Sequence, residues 1–214
     1  MEKTGRMEKT EKNKGKTRIL AVGDIHGDTG FVKRLVEKAK NESVDIVILA
    51  GDITTAEKSI ENIVGPFVKA KKQVLLIPGN HESAATIDFL SKMYGAKNIH
   101  GYGLKIGDVG IFGAGTANMG IHSIGDSGIS ELLKKAHEDV KGSKKKVMVT
   151  HIHPIGSRAE IFGFSGSSAV RKAIDDFKPE ILINAHIHEA GGMEEKIGST
   201  RVINVSRREK IFEI

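Results

Sequence analysis

The sequence predicts an α/β fold. Short β-branched runs alternate with amphipathic stretches along nearly the whole chain. Five of those runs end in a cluster of Gly, Asp, Asn or His, the polar edge that an α/β sheet presents to a ligand. No Gly-, Ser- or Pro-rich linker divides the chain, and 214 residues suit one well-packed domain better than two.

In chain order, the expected strands are residues 18–22, 45–50, 73–77, 110–113, 146–150, 180–184 and 200–205, with 210–214 closing the chain. Helices are expected between them. The clearest, 31–40, sets Phe31, Leu35 and Ala39 at steps of four, with Val32 and Val36 alongside. The others are 56–71, 84–94, 129–140 and 167–177. Parallel pairing is expected near the start and antiparallel strands elsewhere.

Composition narrows the function. There is no run of eighteen apolar residues, which predicts no membrane span or membrane partner, and no apolar leader, which predicts a cytoplasmic protein. Cys is absent, so any metal must be held by nitrogen and oxygen. The pI of 9.4 has a local origin. Residues 1–18 carry seven basic and three acidic side chains, +4 of the total +6. Residues 1–17, with few apolar side chains to offset ordering entropy, are read as a charged disordered tail, and 18–214 as the domain. The tail also repeats itself, Met1-Glu-Lys-Thr recurring at Met7, so Met7 is a candidate alternative start. A solvated tail is the reading preferred to an arm for RNA.

The five clusters carry the chemistry. They hold Gly23, Asp24, His26, Gly27 and Asp28; Gly51 and Asp52; Gly79, Asn80, His81 and Glu82; His151 and His153; His186 and His188. Six of the nine histidines thus follow strands. Turn chemistry favours Asn, Asp, Ser and Gly there but has no use for His. Imidazole with carboxylate and amide oxygen suits Mn, Fe, Zn, Co or Ni better than Ca or Mg. Two aspartates against two divalent ions would leave a surplus of positive charge that attracts anions.

The order Asp24-x-His26, Gly51-Asp52, Gly79-Asn80-His81-Glu82, His151, then His186-x-His188 resembles the calcineurin-like metallophosphoesterase family over residues 18–205. It is most similar to small archaeal and bacterial members made of the catalytic domain alone. The resemblance implies a four-layer αββα sandwich, two mixed β-sheets between helices, with the metal site at the strand C-terminal ends. It implies two divalent ions, Mn first, with Fe, Zn, Co or Ni as alternatives. One ion would be held by Asp24, His26, Asp52 and His188, and the other by Asp52, Asn80, His151 and His186, with Asp52 bridging. Asn80 and His81 would contact the substrate, and His81 would be the general acid that protonates the leaving oxygen. Glu82 would either orient that imidazole or sit at a helix start.

Three departures from the family pattern matter. The last motif opens with Ala185 in place of Gly. The fourth contains both His151 and His153; His151 is chosen because it follows the strand directly, with His153 as the alternative ligand. Phosphoprotein phosphatases of the superfamily follow the second Gly-Asp with Val-Asp-Arg-Gly, whose arginine grips phosphate, whereas this chain continues Ile53-Thr54-Thr55. Arg158 and Arg171 are candidate substrate contacts, with plain surface charge the simpler reading. The expected function is hydrolysis of a phosphate-ester substrate, a phosphodiester by preference. A nuclease acting on RNA or DNA, or a metal-free interaction scaffold of the same fold, are the alternatives.

Overall fold

The structure is a computed structural model that describes residues 16–58 and 60–214. The tail reading therefore lies outside the described residues, except for Lys16 and Thr17. Thr17 exchanges backbone hydrogen bonds with Ile214 at 3.1 and 3.2 Å.

The chain runs β1 (Arg18–Val22), α1 (Thr29–Asn41), β2 (Ile46–Ala50), α2 (Gly65–Lys69), β3 (Gln73–Ile77), α3 (Ala84–Tyr94), β4 (Lys97–Asn98), β5 (Tyr102–Ile106) and β6 (Val109–Ala114). It continues with α4 (Asp126–Val140), β7 (Lys145–Thr150), α5 (Ser168–Phe177), β8 (Ile181–Asn184), β9 (Glu194–Ile197), β10 (Thr200–Asn204) and β11 (Lys210–Glu213). Two sheets form, ordered β11-β1-β2-β3-β4 and β5-β6-β7-β8-β10-β9.

Strand periodicity explains the four layers. In β1, Ile19 and Ala21 face the second sheet, while Leu20 and Val22 face the helices. β2 does the same with Ile46, Ile48 and Ala50 on one face and Val47 and Leu49 on the other. It is buried on both faces, which is why its sequence is an unbroken apolar run. The inter-sheet core is closed from the other side by Ile111, Val147, Val149 and Ile183. Helix α1 covers the first sheet with Phe31, Val32, Leu35, Val36 and Ala39. On the second sheet, α4 and α5 bury Leu133, Ala136, Val170 and Ile174 against Phe112, Met148 and Leu182. Each fully buried Val, Leu, Ile, Phe or Met side chain contributes about 1.5–3 kcal/mol by leaving water.

Two expectations are corrected. Helix 56–71 is reduced to the five residues of α2. Pro66 lies in its first turn, where the missing N–H costs nothing, and within a longer helix it would clash with the preceding turn. Upstream, Ala56, Glu57 and Asn62 take left-handed φ values of 49°, 62° and 57°. The second correction concerns strand direction. β6, β7, β8 and β10 are mutually parallel, and antiparallel pairing is confined to β11, β5 and β9 at sheet edges. Strands β4, β5 and β9 lie outside the expected set. Among the described residues, no helix is long and apolar enough to cross a membrane.

Candidate metal centre

The parallel strands β1, β2, β3, β7 and β8 deliver all five polar clusters to one edge of the sandwich. The turns there are tight. Asp24, His26, Asp52 and His186 adopt left-handed φ values of 54°, 48°, 48° and 72°. A non-glycine residue in that region costs about 1–3 kcal/mol and persists only where its surroundings hold it. Here the strand ends are stitched together by Asp24 N–H to Gly51 O at 3.0 Å, His26 N–H to Asp52 O at 2.9 Å and His186 N–H to Asp24 Oδ2 at 3.0 Å. Gly79 has to be glycine, since a Cβ would sit 2.0 Å from Asp52 Oδ1.

Three sets of ligand atoms converge to within 4.8 Å: Asp24, His26 and His188; His26, Asp52 and His81; Asp52, His151 and His186. Asp52 stands at the centre. Its Oδ1 accepts the His81 backbone N–H at 2.9 Å, while Oδ2 lies 3.4 Å from His151 Nε2 and 3.9 Å from His26 Nε2 and His81 Nε2. Asn80 Oδ1 completes one side, 3.1 Å from His151 Nε2. On the other side, His188 Nε2 lies 3.5 Å from Asp24 Oδ1 and 3.2 Å from His26 Nε2. All seven residues expected to hold metal are brought together with His81. His153 joins none of the three sets; its Nε2 donates to Phe164 O at 3.2 Å.

The donor set fits a cation. Asp24 Oδ1 is buried without a hydrogen-bond partner, although Oδ2 is fully used by His186 N–H and by the Ser206 hydroxyl at 2.5 Å. His26 Nδ1 donates to Thr54 O at 3.2 Å and His151 Nδ1 to Ala50 O at 2.9 Å. A carbonyl only accepts, so the proton of each neutral ring sits on Nδ1 and the Nε2 lone pair faces the carboxylates. Oxygen and nitrogen lone pairs crowded in this way, with the ring nitrogen Nε2 of His81 3.9 Å from Asp52 Oδ2 and too far to bond, favour positive charge. In the absence of other cations, protons supply it. Burial alone would depress His151, but Asp52 outweighs it and the ring is pushed up to about 9. Asp24 likewise raises His188. His186, buried and next to a charged His151, falls to about 4.

His81 is wired the other way. Its Nδ1 accepts the backbone N–H of Ala56 at 3.2 Å, which leaves the ring proton on Nε2, pointing toward Asp52 Oδ2. Glu82 does not touch this imidazole, and the N-cap of α3 is Ser83. Instead the buried Glu82 carboxylate clamps two strand ends, accepting from Thr54 N–H at 2.6 Å, the Thr54 hydroxyl at 2.8 Å and Gly79 N–H at 3.0 Å.

Other contributors escape the sequence pattern. Ser206 and Arg207 follow β10, whose C-terminal end reaches the same edge as β8. Applying the strand-end rule to this sixth strand would have found them. His122 reaches the site from the loop after β6, its backbone N–H on Asn80 O at 3.1 Å and its ring 3.6 Å from Glu57. Of the arginines singled out from the sequence, Arg171 pairs with Asp175 along α5, and Arg158 donates its backbone N–H to Glu195.

The architecture and this edge define a metal-binding hydrolase of phosphate esters. Residues 17–190 match the family model of the calcineurin-like phosphoesterases, and the chain belongs to that family. Its fold is similar to TT1561 of Thermus thermophilus, with a TM-score of 0.73 at 16% identity over 93% of this chain and 99% of that one. It is also similar to a dimetal phosphatase from Danio rerio, with a TM-score of 0.62 at 12% identity over 89% and 87%. A structure described as a novel archaeal phosphodiesterase aligns with a TM-score of 0.54 at 15% identity over 92% and 99%. No curated protein matches the chain in sequence.

Proposed function

We propose that the protein is a phosphodiesterase with two divalent metal ions, Mn first among them. One ion would be held by Asp24, His26, Asp52 and His188, and the other by Asp52, Asn80, His151 and His186. The observation that carries this reading is the Asp52 carboxylate. It is faced by His26 from one ligand set and His151 from the other, and the backbone N–H of His81 fixes its rotation. Bound there, two divalent ions would supply a water of lowered pKa and would neutralise charge developing on phosphoryl oxygens.

The chain's own residues do the rest. Nδ1–H bonds to Thr54 O and Ala50 O keep His26 and His151 in the ligating tautomer. Ser206 and the His186 N–H fix the Asp24 carboxylate. His81 presents its Nε2–H to the leaving oxygen as the ester bond breaks; it gives up a full proton from the imidazolium form, in which a second proton on Nδ1 replaces the Ala56 contact, and returns to the neutral ring that Ala56 holds. A diester is preferred because the segment Asp52–Thr55 lacks the phosphate-gripping arginine of the phosphoprotein phosphatases.

The test is a panel of aryl monoesters, linear and cyclic diesters, pyrophosphates and phosphoserine peptides, run with each candidate metal and paired with elemental analysis. Aryl diester turnover at or above that of phosphoserine peptides, with metal approaching two equivalents, is expected. Strong phosphopeptide turnover without diesterase activity would overturn the substrate assignment, and one equivalent or less the two-ion mechanism.

A further inference from the structure

We propose that Arg207 grips the phosphoryl oxygens of the substrate, the task for which the loop after β2 has no arginine. This rests on the reading of the site as a phosphoesterase centre.

Arg207 leaves the C-terminal end of β10 shortly after the strand, with its backbone in the left-handed region at φ 49°. Its backbone N–H donates to Gly23 O at 3.1 Å, which ties it to the turn that carries Asp24. The guanidinium then folds over that turn. Nη1 donates to Asp24 O and Nη2 to Asp28 Oδ2, both at 3.3 Å, and the group lies 6.0 Å from the Phe31 ring centroid. Asp28 is itself fixed, since its other oxygen caps α1 through Phe31 N–H at 2.8 Å. A guanidinium anchored at two corners is pre-organised, so little rotamer entropy is left to lose when it meets an anion. Its remaining N–H donors, including that on Nε, have no protein partner among the described residues, and the side chain is 42% exposed.

The position is right for an equatorial phosphoryl oxygen. The His26 ring stands 4.8 Å from the His81 ring and 5.2 Å from the His188 ring. Arg207 is anchored on Asp24, the residue whose Oδ1 lies 3.5 Å from His188 Nε2. On this proposal, a phosphoryl group bound over the centre with its leaving oxygen at His81 turns its non-bridging oxygens to the guanidinium beside Asp24. Arg34, 5.5 Å from the same Phe31 ring, adds a second positive charge beside that ring.

The experiment compares wild type, Arg207→Ala and Arg207→Lys, each loaded with Mn. Equilibrium binding of orthophosphate is measured by calorimetry, beside KM and kcat on an aryl phosphodiester, Mn content and Tm. A lost charge-assisted hydrogen bond predicts phosphate affinity and KM weakened by about 10- to 100-fold in Arg207→Ala. Arg207→Lys, with the charge but not the planar fork, should recover part of that loss. Mn content and Tm should hold, and kcat should stay within about threefold. Unchanged phosphate affinity overturns the proposal. So does a loss that tracks missing metal, which would make Arg207 only a support for Asp24. If the wild type binds phosphate through Arg207 but hydrolyses no ester, this inference stands and the functional reading falls. If turnover is intact and phosphate binding is independent of Arg207, the functional reading stands and this inference falls.

Discussion

The backbone N–H of Ala56 donates to Nδ1 of His81, whereas Nδ1 of His26 and of His151 donate to backbone carbonyls. Three imidazoles around one carboxylate therefore differ in what they offer it. As neutral rings, two present lone pairs and the third presents a proton. The left-handed turn at Ala56, with φ 49°, aims that N–H at the ring.

This contrast separates His81 from the ligands by experiment. His81→Ala should lower kcat by about 10²–10⁴-fold on a substrate with a poor leaving group, the usual worth of a general acid. With nitrophenolate as leaving group the defect should shrink, because that oxygen needs little protonation. Metal content should match wild type. A lost ion, or equal defects on both substrates, would mark His81 as a ligand or phosphate clamp.

Asp52 predicts the opposite phenotype. Its two oxygens lie between both ligand sets, so Asp52→Asn should reduce metal content by more than His188→Ala, which touches one set. Elemental analysis after dialysis checks this ranking. If Asp52→Asn kept two equivalents while His188→Ala lost one, Asp52 would not bridge.

Why the ligands are legible in the sequence and other parts are not has physical reasons. Histidine has no local conformational use after a strand, so His26, His151, His186 and His188 stand out against ordinary turn residues. The core of β2 and the stripe of α1 follow from burial, which leaves a period in the sequence. The edge strands leave none. β5 is half-exposed and β9 reads Glu194-Glu195-Lys196-Ile197, a charged edge that resists pairing with other chains. Apolar residues at 60, 63, 64, 67 and 68 imitate a helical stripe, yet Ile63, Val64 and Phe67 are buried by a loop and the short α2. Gly65 packs with its Cα against the Tyr94 ring, a contact set by tertiary structure alone. Glu82 is similar. Its sequence position suggests a helix start, and only the folded loops reveal its three donors.

Glu82→Gln tests that clamp. The amide would set its NH₂ against Thr54 N–H and the Thr54 hydroxyl or against Gly79 N–H, donor facing donor. Leaving such buried groups unsatisfied costs about 1–3 kcal/mol. Burial and the neighbouring Asp52 raise the Glu82 carboxyl above its ordinary range, and the Thr54 and Gly79 donors pull against that rise. A lower Tm with weaker metal binding is expected, because Thr54 O orients His26. Wild-type stability would mean that water replaces the clamp.

The last prediction concerns protons displaced by metal. In protein stripped by a chelator, burial opposes charge on His151, but the neighbouring Asp52 carboxylate prevails and holds the ring near 9. At pH 7 that ring is charged, and a metal ion can use its Nε2 only after the proton leaves. Metal uptake should therefore release close to one proton from His151 at pH 7, and none once pH exceeds about 9. His186, near 4, is already neutral and releases none. Apparent affinity for Mn should rise about tenfold per pH unit between roughly 7 and 9 through this residue, then level off. The same proton stabilises the stripped fold. Its contribution is whole below the ordinary histidine value of about 6.5 and is lost as pH rises through 9. Calorimetric titration of stripped protein with Mn, in buffers of different ionisation enthalpy, counts the released protons directly. If no proton appeared between pH 6 and 8, His151 would be neutral before metal arrives, and Asp52 would not be charging it.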